Sequence, residues 1–265
     1  EAQPKPAAKP KPAAKPKTPI SKELFNLKRE TIERNQERRK KLAQCEKRYD
    51  TTVGQVAVLL RRVSGRSQDA VEEAAGVVTT LVDTFLSDRD VFVNLMTNKP
   101  KEEAHHLHAF NVTILSMIIG KELNLDAHTM NVLGMGALFH DLGKGRVPVS
   151  ELSQGKATTM KYAVQRHYEL HPRLGAKLAS ELPNFPVESV HILLQHHETV
   201  NGKGFPNKLS ADKISPLAKI VHIVDAYDNL CNSRDRDYLT PHEALRHLFT
   251  KQRPLLDNKM LAIFI

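Results

Sequence analysis

The sequence predicts an all-α protein: a helical bundle with an N-terminal helical extension. Three observations point there. Apolar residues recur at helical spacing in one stretch after another, from VGQVAVLLRRV to KIVHIVDAYDNL. Strand-like alternation with hairpin turns is nearly absent, and no internal repeat is evident. The 265 residues, 40% of them hydrophobic, suffice for one sizeable core with an appendage.

The elements follow in order. EAQPKPAAKPKPAAKPK interleaves Lys with Pro and Ala, so residues 1–20 are expected to be a disordered, solvated linker. Ser21 is placed to cap a Pro-free helix running to about Tyr49. Its middle is nearly all polar, with Leu27, Ile32 and Leu42 as the main apolar points, which predicts an exposed or partner-bridging helix. A homodimer through this helix is the expectation. VGQVAVLLRRV and VEEAAGVVTTLVDTFL read as apolar-faced helices separated by SGRSQD, and Ser87 with Asp90 resembles a capping box opening DRDVFVNLMT. Residues 21–98 thus make an N-terminal helical region. From residue 99 onward, helices are expected over about 104–123, 127–141, 161–181, 187–197, 216–231 and 241–249.

The net charge of +9 is not spread over the chain. Residues 1–17 carry five Lys and one Glu, residues 18–48 ten Lys/Arg and five Glu, and the rest is formally neutral. The basic arm has Phe25 as its one aromatic before Tyr49, which argues against binding of a nucleic-acid polymer. No apolar run approaches the roughly 20 residues of a membrane span, and Cys45 and Cys231 make no disulfide framework. A cytoplasmic location follows as the expectation. Starting at Glu1 and stopping on the apolar run KMLAIFI, the chain reads as a fragment or processed form.

Chemistry concentrates in a few groups. His140 and Asp141 are neighbours in GALFHDLGKGRVP, one imidazole and one carboxylate, and a carboxylate can bridge two metals. His108, His171, His196, His197 and Asp225 lie on or at the ends of other apolar helices, so a bundle can converge them. An unpaired carboxylate amid the aliphatics around Asp225 would be costly. Five imidazoles and two carboxylates suit two metals, and a set without Cys favours Mn, Fe, Co or Ni over a structural zinc. His128, His191, His222, His242 and His247 read as surface or capped core histidines.

HDLGK (140–144), HPRLG (171–175), HHETVNGKGFP (196–206) and KIVHIVDAYDNL (219–230) resemble the HD-GYP family of bacterial cyclic di-GMP phosphodiesterases, within the HD phosphohydrolase superfamily. The resemblance covers about residues 103–248, with weaker likeness from about Tyr49, and implies that residues 99–265 form the catalytic domain. It also implies a helical bundle with a two- or three-metal centre, Fe or Mn above all, that hydrolyses cyclic di-GMP to linear pGpG and in some members on to GMP. By the same resemblance His108, His140, Asp141, His171, His196, His197 and Asp225 bind metal. Asp141 bridges, a metal-held water attacks phosphorus, and Lys144 contacts the phosphate or assists the leaving group. Gly204, Phe205, Pro206, Lys219 and Arg234 fall at substrate-facing positions.

Several positions depart from the family pattern. Phe205 stands for the tyrosine of GYP and lacks its hydroxyl, and Lys219 stands for an arginine. Arg234 keeps an arginine whose Pro-Tyr sequel is missing. Ala104 stands where three-metal members have a glutamate, so two metals are expected. His167 is an alternative to His171, which the glycine four residues on favours. The altered substrate loop defines a second reading, a non-catalytic cyclic di-GMP sensor. The complete ligand set favours the enzyme.

Overall fold

The computed structural model describes residues 19–65, 67, 69–85, 104–146, 157–232 and 238–265, and side chains within them except at 19–21, 82–85, 104–105, 146, 157–164 and 167. Of the linker expected over residues 1–20, residues 1–18 lie outside these residues, as do the capping box at Ser87, Arg234 and the side chains of Ser21, Ala104 and His167, while Pro19 and Ile20 are already helical. The described elements are helices, and none is long and apolar enough to cross a membrane.

By compactness the chain divides into Glu1–Lys47 and Arg48–Ile265. The described part of the first unit is a polar helix that exposes Leu24, Phe25, Leu27, Ile32 and Leu42. It carries an i,i+4 ion pair, Arg29 to Glu33 at 2.8 Å. This helix, α1, spans Pro19–Ser64 without the break that the sequence suggests near Tyr49. No proline follows its first residue, so the backbone donors that carry the helix run on unbroken, and Thr52 bonds back to Arg48 O at 2.8 Å without ending it.

In the second unit, α2 (Asp69–Phe85) is followed by α3 (Ala104–Glu122) and α4 (Ala127–Phe139). Next come α5 (Ala157–Ser180), α6 (Val187–Gln195) and α7 (Pro216–Asn232). Helix α3 packs on α4 and α7, α4 on α6, and α5 on α6. Helices α3 and α4 are apolar nearly all round, so they occupy the centre: Phe110, Ile114, Leu133, Met135, Leu138 and Phe139 are fully buried. Gly136 makes the close α4–α6 approach, since a side chain there would collide with Ile192. Asp126 caps α4 by accepting from Thr129 N at 2.9 Å.

The C-terminal part departs from the sequence reading. Helix α8 covers Pro241–His247, opened by a Thr240–Glu243 capping box, and gives way to a wider turn over Leu248–Gln252. The run KMLAIFI belongs to a further helix, α9 (Asn258–Phe264), that the sequence reading leaves out. Asp257 starts it, accepting from Lys259 N at 3.0 Å and Met260 N at 3.2 Å. Leu248, Leu256 and Leu261 join Ile223 of α7 in a buried cluster flanked by Tyr227 and Phe264. Leu261→Ala is expected to cost about 2–4 kcal/mol of stability by leaving a cavity there. Urea unfolding measures this, and a loss under about 0.5 kcal/mol would show that α9 is not part of the cooperative core.

Candidate metal centre

The last carbonyls of a helix have no in-helix N–H partner, and here imidazoles take them. His140 follows the end of α4 and donates from Nδ1 to Ala137 O at 2.7 Å. His196 follows the end of α6 and donates from Nδ1 to Leu193 O at 2.8 Å. His171 sits inside α5, before Pro172, which lacks the N–H that would bond Tyr168 O four residues back. That freed carbonyl accepts from His171 Nδ1 at 2.5 Å. His222 Nδ1 in turn donates to His196 O at 2.7 Å. In His140, His171 and His196 the Nδ1 proton is thereby assigned, and Nε2 is left as a lone pair facing inward.

The inward nitrogens face one another or His108. His171 Nε2 and His196 Nε2 are 3.1 Å apart, and His108 Nε2 and His140 Nε2 are 3.2 Å apart. Two imidazole nitrogens at this separation repel unless a proton or a metal cation lies between them; between His108 and His140 the metal-free protein has the proton of His108, and between His171 and His196 two bare nitrogens are opposed. Asp141 serves both pairs. Its Oδ2 is 3.6 Å from His108 Nε2 and 3.4 Å from His140 Nε2, while Oδ1 is 3.3 Å from His171 Nε2 and 3.9 Å from His196 Nε2. Asp141 Oδ1 is buried without a hydrogen-bond partner. The donors fall into two groups, Asp141–His171–His196–His197 and His108–His140–Asp225, each with its ligand atoms within 4.8 Å of one another. An orphaned carboxylate oxygen among opposed imidazole lone pairs fits divalent cations held by nitrogen and oxygen.

The charges agree with this. Burial alone would raise the Asp141 carboxyl, yet His140, Lys144 and His171 hold it well below the usual carboxylate range. Asp225 is likewise held down against burial, chiefly by His108 and His197. Burial opposes charge on His108, but Asp225 and Asp228 raise its pKa to about 10, so without metal it carries a proton. Burial pushes His197 down to about 3 and, with the neighbouring imidazoles, holds His196 well below its ordinary value.

Close backbone packing makes the convergence attainable. Gly143 of HDLGK lies against Gly175 and His171 of α5, where a Cβ on Gly143 would fall onto His171 O and Gly175 N. Beside the cluster, the loop 197–209 folds back on itself: Phe205 N donates to His197 O at 3.1 Å, and a Cβ on Gly204 would collide with Thr199 N, His197 O and Glu198 Cα. Glu198, 2% exposed, anchors the loop by accepting from Asn207 N at 2.6 Å and Leu209 N at 2.9 Å. Arg173 adds bonds to Pro206 O and Asn207 Oδ1. The Phe205 ring lies 4.6 Å from that of His197.

The structure thus gathers all seven residues expected to bind metal, together with Lys144, whose Nζ is 2.5 Å from Asp141 Oδ2. Phe205 borders the cluster. Lys219 is engaged elsewhere, its ammonium 3.3 Å from Asp257. Sequence reasoning missed four contributors. Glu198 anchors the loop, and Asn229 donates to Asp225 Oδ1 at 2.7 Å. The Tyr168 hydroxyl lies 3.2 Å from His197 Nε2, and Asp228 lies 2.7 Å from His108 Nδ1. Asp228 and Asn229 stand one turn beyond Asp225, a spacing that could have flagged them. Nothing local distinguishes Tyr168.

A family model described as an HD domain matches residues 81–260. This chain belongs to the HD domain family. It is 28% identical over 162 residues to the cyclic di-GMP phosphodiesterase PA4108 of Pseudomonas aeruginosa, covering 61% of this chain and 38% of that protein. It is 32% identical over 145 residues to the cyclic di-GMP phosphodiesterase response regulator RpfG of Xanthomonas campestris, covering 54% and 38%. The chain therefore spans well under half the length of these relatives. Among solved structures, Bd1817, an HDG"Y"P protein from Bdellovibrio bacteriovorus, superposes with a TM-score of 0.69 at 20% identity, covering 83% of this chain and 71% of that one. The HD-type helical fold read from the motifs agrees with these matches.

Gly143→Ala should force α5 away from the HDLGK turn and split the donor set; loss of metal stoichiometry with helical content retained is the expected result, and full metal content would refute the packing argument. Acid sensitivity of the metal-free protein follows from the imidazoles. His196, His197 and His222 are held neutral in the fold, whereas the unfolded chain protonates them near pH 6.5. Stability is therefore lost as pH falls from about 6.5 toward 3, and Asp141 and Asp225 add to the loss below about pH 4. His108 has the opposite sign: its contribution is complete below about pH 6.5 and fades as pH rises through 10. Thermal unfolding of chelator-treated protein should show a midpoint dropping from pH 6.5 to 4; a level midpoint would contradict these assignments.

Proposed function

We propose that residues 99–265 are the catalytic domain of an HD-GYP phosphodiesterase that hydrolyses cyclic di-GMP to linear pGpG. The observation that carries the reading is Asp141, whose two oxygens each face one pair of opposed imidazoles, the arrangement of a carboxylate shared by two ions. His108, His140 and Asp225 would hold one ion, and His171, His196 and His197 the other, with iron or manganese suiting the donors. Such a pair supplies a water of lowered pKa and clamps the attacking and leaving oxygens of a phosphodiester. The side chains orient what enters. Lys144 sits against Asp141 and over the Tyr168 ring, where its charge can meet a phosphate oxygen. Phe205, with Gly204 and Pro206, offers an apolar face beside His197 for a nucleotide ring. The relatives named as cyclic di-GMP phosphodiesterases support the substrate class.

The remaining assignments are part of the same reading. Residues 21–98 form the N-terminal helical region, preceded by a linker. The exposed Leu24, Leu27 and Ile32 of α1 support a homodimer through that region. The reaction takes place in the cytoplasm.

Protein loaded anaerobically with Fe(II) or Mn(II) and incubated with cyclic di-GMP should yield linear pGpG by chromatography. His140→Ala should lose more than about 100-fold of the rate, since even partners behind the ligands contribute 10–100-fold. Nucleotide binding without linear product would overturn the proposal in favour of a sensor.

A further inference from the structure

We propose that Asp228 is a positioning residue for the metal centre, holding His108 through a carboxylate–imidazole pair that reaches back to α1. The inference rests on the metal reading above. His140, His171 and His196 are each oriented by a neutral backbone carbonyl three residues away. His108 is treated differently: its Nδ1 meets Asp228 Oδ2, on another helix, at 2.7 Å.

Asp228 is itself fixed from several sides. It is 1% exposed, and its Oδ1 accepts from Asn111 Nδ2 at 2.9 Å and Asn232 Nδ2 at 2.8 Å. Asn111 is 1% exposed too, and its Oδ1 accepts from the Tyr49 hydroxyl of α1 at 3.3 Å. The carboxylate of Asp228 only accepts, so it is the Nδ2 end of the amide that faces it. Asp228 meets the ring at Nδ1, away from the nitrogen that faces His140, and so stands outside both donor groups. Asp225, one turn earlier on α7, instead turns Oδ1 toward His108 Nε2 at 3.1 Å. One helix face therefore addresses both nitrogens of the same imidazole. A carboxylate behind a ligating histidine fixes the ring and strengthens it as a donor.

Metal-free protein is titrated with Mn(II), reading free Mn(II) by electron paramagnetic resonance. Wild type should show two sites; no binding at all would sink the metal reading itself. Asp228→Asn, isosteric with the native residue, should weaken one site by about 10–100-fold and leave the other within about threefold. KM for cyclic di-GMP should stay unchanged, with kcat restored at high Mn(II). In a His108→Ala background the same substitution should add less than about twofold, the non-additivity of two residues acting as one unit. Unchanged affinity in folded Asp228→Asn, or a fully additive loss in the double variant, would overturn the positioning role. Asn232→Ala strips one donor from Asp228 at a half-buried position and is read the same way if Asp228→Asn does not fold: a several-fold loss at one site supports the role, and none overturns it.

Discussion

The structure depends on what becomes of carbonyl oxygens that helices leave unbonded. Ends of α4 and α6 expose such oxygens by necessity, and Pro172 creates one inside α5. Left bare in an apolar interior, each would cost free energy on the order of 1–3 kcal/mol. Imidazole N–H groups satisfy them, and the side effect is chemical: every ring so used has its proton assigned and its other nitrogen bared. Backbone bookkeeping and ligand preparation are here the same set of hydrogen bonds.

Concentrating those bared nitrogens requires backbones to touch. The contact of Gly143 with α5 brings the turn carrying Asp141 up to His171, and Gly136 lets α6 approach α4 so that His196 reaches the same place. Asp141 and Asp225 are held ionised despite burial, Asp141 beside the Lys144 ammonium and Asp225 beside His108 and the Asn229 amide. The cluster is thus held by packing from behind and by charge balance within.

How much was legible follows from these forces. The all-α class and most helices of the second unit were legible because apolar periodicity reports burial directly. That these seven side chains gather was legible because imidazole–carboxylate motifs are short and local. Continuity of α1 past Tyr49 was not, since weak helix formers tolerated in mid-helix look like boundaries. Helix α9 was missed because seven residues give too little periodicity, and its stability comes from packing on α7. Asp228 and Tyr168 escaped for another reason: they act on other residues' side chains across elements, and no local pattern encodes that. Lys219 looked substrate-facing by position, yet Asp257 offers it a partner in a segment that no motif describes.

Glu198 has a consequence for how molecules enter. Its carboxylate is buried, and the amides of Asn207 and Leu209 are its partners. Parting the loop from Glu198 would leave these buried groups without partners, at about 1–3 kcal/mol for each one left unpaired. The loop bearing Phe205 is therefore a fixed wall and not a hinged cover. On that side an incoming molecule meets a surface already shaped, and no free energy goes into ordering the loop 197–209.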